Sequence, residues 1–115
     1  MAKFVLIMRE NERAWERLPR EERRRLLDLY MSWVRGLAES NVLRGGEALA
    51  EGGAMLSAPD GKVVREPYEE STNVPTGFFL IEASDLDAAV EIARGCPALL
   101  HGENVVVRAV GEHIT

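Results

Sequence analysis

Two stretches of this chain are apolar on both alternating faces. In residues 3–9, Phe4, Leu6 and Met8 alternate with Val5 and Ile7. In residues 76–83, Phe78, Leu80 and Glu82 alternate with Phe79, Ile81 and Ala83. A strand with one solvated face alternates apolar and polar side chains. A two-sided run therefore predicts a central strand covered on both faces. Residues 104–110 (NVVVRAV) read as a last strand, with Arg108 the one charge in its middle.

A different period runs between these strands. Leu26, Tyr30, Trp33 and Leu37 recur at spacings of four, three and four, and Leu27, Leu29 and Val34 widen that stripe. This is the packed face of an amphipathic helix. Pro19 suits its first position, where a missing N–H costs nothing. Glu21 and Glu22 favour the positive end of its dipole. Asn41 is placed to end it in the left-handed conformation. Residues 10–18 are charged and irregular, with a turn expected around Trp15. A second helix follows Ser84, whose capping partner would be Asp87. Leu86, Ala89, Val90 and Ala93 mark its buried face, and Gly95 and Pro97 close it.

Residues 42–51 (VLRGGEALAE) look like a strand with a bulge or bend at Gly45-Gly46. Residues 54–58 and 62–66 flank Pro59-Asp60-Gly61, and Asp-Gly between strand-like runs is a hairpin signal. Residues 67–75, with Pro67, Asn73 and Pro75, read as a loop. The order is strand, helix, strand, hairpin, strand, helix, strand. It predicts a single α+β domain over residues 1–115, ferredoxin-like, with an antiparallel sheet and both helices on one face. Helices on one face leave the other apolar face of the central strands bare. A second copy of the chain covers it most simply, so a homodimer with two sheets face to face is expected.

Composition narrows the function classes. The 115 residues carry 14 Lys/Arg and 19 Asp/Glu, a net charge of −5, which argues against an unaided nucleic-acid binder. Much of the positive charge lies in Arg13, Arg17, Arg20, Arg23, Arg24 and Arg25, interleaved with Glu16, Glu21 and Glu22 as in a solvated helix face. Cys96 is the single cysteine, so no intrachain disulfide forms and a reducing cytoplasm is the expected compartment. The apolar run after Lys3 is too short for a secretory leader, and no stretch approaches the roughly 20 residues of a membrane span. Two His and one Cys are too few for the usual zinc set, and no phosphate-binding glycine loop occurs. No metal or cofactor is expected.

Taken in order, Val42-Leu43-Arg44-Gly45-Gly46-Glu47, Asp60-Gly61-Lys62, Gly77-Phe78-Phe79-Leu80-Ile81-Glu82-Ala83, Asp85-Leu86-Asp87 and Val105-Val106-Val107-Arg108 resemble the YCII-related proteins, in particular their DGPF-domain branch. The resemblance spans about residues 3–110. The motif Asp-Gly-Pro-Phe falls here on Arg65-Glu66-Pro67-Tyr68, where only the proline is kept. The resemblance implies a dimeric α+β barrel with a cleft between its sheets. Some YCII-type relatives carry a His–Asp pair proposed as catalytic, with the His near the first long helix. This chain has no His there, since its histidines are His101 and His113, so that pair does not carry over. Some DGPF-branch genes lie beside sigma-factor genes, which implies a regulatory setting.

Against this background the candidate residues are few. His101, just before the last strand, is the side chain suited to proton transfer near neutral pH. Glu82 and Arg108 are charges on apolar strands, so they either pair with each other or reach solvent at a strand end. Arg44 and Glu47 straddle the glycine bend, where backbone can approach a ligand. Tyr68 offers a phenol at the altered motif. Cys96 follows a helix C-terminus, which disfavours a thiolate. Three functions compete. The leading expectation is a homodimer binding a small organic molecule in the cleft. The second is a cofactor-independent enzyme for proton transfer or oxygenation, with His101 as acid/base and Arg44 or Arg108 holding an anionic group. The third is a regulatory interaction module using the arginines of residues 13–25.

Overall fold

The computed structural model describes residues 1–11, 14–68 and 72–111. Among them the chain forms β1 (Ala2–Glu10), α1 (Arg20–Glu39), β2 (Leu43–Ala48), β3 (Ala54–Ser57), β4 (Val64–Pro67), β5 (Val74–Ala83), α2 (Leu86–Ala93), a 3₁₀ turn (Pro97–Leu100) and β6 (Asn104–Ala109). Four strands make one antiparallel sheet in the order β2-β5-β1-β6, and β3 pairs only with β4. With that hairpin set aside, the order and connections are ferredoxin-like. The two strands with apolar residues on both faces, β1 and β5, occupy the centre, as their patterning requires.

The first face packs against the helices. Phe4 and Leu6 of β1 and Ile81 and Ala83 of β5 form one buried core with Leu37, Ala89 and Ala93. Trp33 meets Phe79 edge-on, with ring centroids 5.2 Å apart and planes at 85°. Met8, Cys96 and Ala98 form a second cluster, with Tyr30 packed against it. The helical stripe is narrower than its apolar residues imply. Leu26 and Leu37 are buried, while Leu27 and Leu29 are exposed.

The caps follow local chemistry. Asn41 adopts φ 59°, and the amides of Asn41 and Val42 donate to Ala38 O and Leu37 O, closing α1 with a paired C-terminal motif. Pro19 sits one residue earlier than expected, at the N-cap. Asp85 caps α2 in place of Ser84, accepting from the Ala88 amide at 2.8 Å. The glycine bend of β2 is a register irregularity between Leu43 and Gly45. In the hairpin, β4 begins two residues after the expected start, and β5 begins at Val74, inside the expected loop.

By alternation, Val5, Ile7, Phe78, Leu80 and Val106 lie on the second face, opposite the core. The two helices lie against the first face only. The β3–β4 hairpin stands away from the sheet, with Leu56 65% and Val63 72% exposed. The radius of gyration is 16.2 Å, against about 13 Å for a compact chain of this size.

Candidate functional site

A cavity of about 480 Å³ opens between the helix-covered face and α1. Its floor is Met8, Gly77 and Phe79, its edge is Gly46, Ala48 and Leu49 of β2 and the segment beyond, and Leu27 and Tyr30 wall it from α1. Trp15 closes one side. Its amide donates to Glu10 Oε2 at 3.0 Å, which ties the 10–18 turn to the end of β1. Gly46 is needed at this edge, because a Cβ there would lie 2.6 Å from Phe79 Cδ1 and 2.7 Å from Phe78 O.

Glu103 borders this cavity and is the centre of a polar cluster. Its side chain is only 5% exposed and that of His101 only 1%. Glu103 Oε1 accepts from Thr76 Oγ1 at 2.5 Å, and Glu103 Oε2 lies 3.2 Å from His101 Nε2. Tyr30 Oη lies 3.4 Å from the same nitrogen, and Trp15 packs edge-on to the imidazole with centroids 5.3 Å apart. Burial raises the Glu103 carboxyl above its ordinary value, against the lowering effect of the Thr76 bond. Burial also lowers the His101 imidazole and raises the Tyr30 phenol, which therefore stays protonated. Neutral His101 and neutral Glu103 can share one proton along the 3.2 Å contact, while His101 Nδ1 has no partner.

These opposed shifts predict a pH signature. Glu103, with its pKa raised above 4.5, contributes stability that is present below that value and lost as pH rises through the folded-state pKa. Glu103→Gln removes this dependence, and glutamine can still accept from Thr76. Urea unfolding from pH 4 to 8 is expected to show wild type losing stability relative to Glu103→Gln as pH rises. A difference independent of pH would refute the raised carboxyl.

The candidates named from sequence divide between the two faces. His101 reaches the cavity through Glu103. Glu47 borders it, but by its register opposite Phe78 its side chain belongs to the open face. Tyr68 borders a smaller depression of about 40 Å³ with Glu10, Ala50 and Thr76. Arg44 pairs with Glu82, and its Nη1 also donates to Leu43 O at 3.0 Å. The expected Glu82–Arg108 pair does not form. Glu82 on β5 and Arg108 on β6 are separated by β1, whereas β2 and Arg44 adjoin β5. Arg44 and Arg108 are absent from the cavity lining, so neither is placed to hold an anionic group there. The expected cleft between sheets is a seam between copies; this cavity lies within one chain, on the other face.

Glu10, Trp15, Thr76 and Glu103 were not singled out as site residues, and Tyr30 was read as core packing. Only the His101-Gly102-Glu103 spacing carries a visible signal, an imidazole and a carboxylate two residues apart before a strand. Cys96 is buried, and burial pushes its thiol up to about 11. Arg20, Arg23 and Arg24 border a shallow adjoining depression with Trp15 and Leu27. Arg13 and His113 lie outside the described residues. Among the described residues no three His, Cys, Asp or Glu side chains group to hold a metal ion, and no helix is long and apolar enough to cross a membrane.

The model of the YCII-related domain matches residues 2–110, which is nearly the whole chain and includes every element of the site. The chain belongs to the YCII-related family. Within this YCII-related fold, the buried His101–Glu103 pair comes from the segment leading into β6 and meets α1 through Tyr30. A search of curated proteins found no match.

Proposed function

We propose that this YCII-related chain is a cytoplasmic homodimer whose protomers each bind a small organic molecule in the cavity between the sheet and α1. The observation that carries the binding reading is an apolar cavity of about 480 Å³ with the polar Glu103 cluster at one side. Dimerisation is supported by the second sheet face, where Val5, Ile7, Phe78, Leu80 and Val106 lie on the side away from the helices. A single buried cysteine fits a reducing compartment.

A thermal-shift screen of small organic fragments tests the binding reading. Leu27 is half-exposed and borders the cavity, so Leu27→Trp is expected to fill the space without disturbing the core. Fragments that raise the melting temperature of wild type should fail to raise that of Leu27→Trp. Equal shifts in both proteins would place binding elsewhere and count against the cavity.

The Glu103–His101 contact favours a second reading, catalysis of proton transfer without a cofactor. Ionised Glu103 would take a proton from the bound molecule, and His101 Nε2 would hold or return it across the 3.2 Å contact. Oxygenation draws no comparable support from this cluster.

A further inference from the structure

We infer that the cavity selects apolar molecules carrying a protonated nitrogen, with the ammonium group set against Glu10 and Glu103 and the apolar part on Phe79 and Met8. This inference rests on the binding reading above and adds the charge of the ligand. Among the described residues, no lysine or arginine borders the cavity. Its charged lining is made of carboxylates. Glu16 and Glu51 border it too, but each is engaged by another interaction, so the charge balance is drawn from Glu10 and Glu103. Glu103 is held in place by Thr76 and His101, and Glu10 by the Trp15 amide.

The position of Glu10 is decisive. It acts electrostatically on Tyr30, His101 and Glu103, favouring the protonated form of each. A cation entering the same space gains from the same field, and an anion is repelled by it. The indole of Trp15 and the phenol ring of Tyr30 add aromatic surface, which suits an ammonium group and its carbon substituents. Arg20, Arg23 and Arg24 border the adjoining depression, not the cavity, so an anion would be drawn there instead.

Calorimetry with three probes of similar shape tests the inference: 2-phenylethylammonium, 2-phenylethanol and 3-phenylpropanoate. The ammonium is expected to bind roughly tenfold more tightly than the alcohol, and the carboxylate more weakly than either. Glu10→Gln keeps an acceptor for the Trp15 amide while removing the charge, and should reduce the ammonium-to-alcohol preference to a few-fold. Alcohol binding as tight as ammonium, or a preference for the carboxylate, would overturn the inference while leaving small-molecule binding intact. Binding of none of the three, together with a fragment screen silent at the cavity, would overturn both.

Discussion

Leu6→Ala is expected to destabilise the fold by about 3–4 kcal/mol, within the range for a fully buried leucine whose cavity cannot collapse. Leu6 has no exposed surface and lies on central strand β1, opposite Phe79 on β5 and Val107 on β6. Both neighbouring strands are hydrogen-bonded to β1, so the backbone cannot close inward without breaking a ladder. Loss of this size is a large part of the 5–15 kcal/mol typical of a domain. Thermal unfolding should fall by roughly 10–20 °C. Met31→Ala, at an exposed position on α1, should stay within about 0.5 kcal/mol of wild type. Equal effects at both sites would mean that the sheet–helix core is not where the stability resides.

Phe78→Arg is expected to separate the proposed homodimer, weakening association by roughly 100-fold or more. Phe78 lies on β5 with its side chain on the second face, next to Leu80 and across from Ile7. An arginine there would carry charge into a sheet-to-sheet interface with no paired carboxylate at that position. The core of Leu6, Ile81 and Leu37 lies on the other face, so the variant should remain folded. Sedimentation equilibrium should give wild type about twice the 12.8 kDa chain mass, and Phe78→Arg the chain mass itself, with unchanged circular dichroism. A monomeric wild type at tens of micromolar would contradict the homodimer. An equally dimeric Phe78→Arg would place the interface elsewhere.

The sheet was legible because its information is local. Two-sided apolar runs mark β1 and β5 as central, and Gly45-Gly46 marks the irregular edge strand β2. Asp60-Gly61 marks the hairpin, though not its register, because six residues separate Ser57 from Val64. The site was far less legible because it depends on strand order. Arg44 pairs with Glu82 since β2 adjoins β5, and spacing along the chain does not show that Arg108 is one strand too far. Thr76 meets Glu103 only because the ends of β5 and β6 converge at the end of β1. Leu27 illustrates a further limit. Its helical period marks it as core, yet it borders a cavity, and periodicity does not distinguish a packed neighbour from an empty one. His101 was identifiable by residue type alone, but its carboxylate partner required the fold.

The central claim is that a small molecule occupies the space beside Glu103. Protein-observed NMR measures this directly, with cationic, neutral and anionic fragments titrated into labelled protein. Signals of the Trp15 indole and of the Gly46, Gly77 and Glu103 amides, all at the cavity, should move together and saturate, with the cationic fragments tightest. Saturable shifts confined to the hairpin or the open sheet face, with those four signals still, would contradict the account.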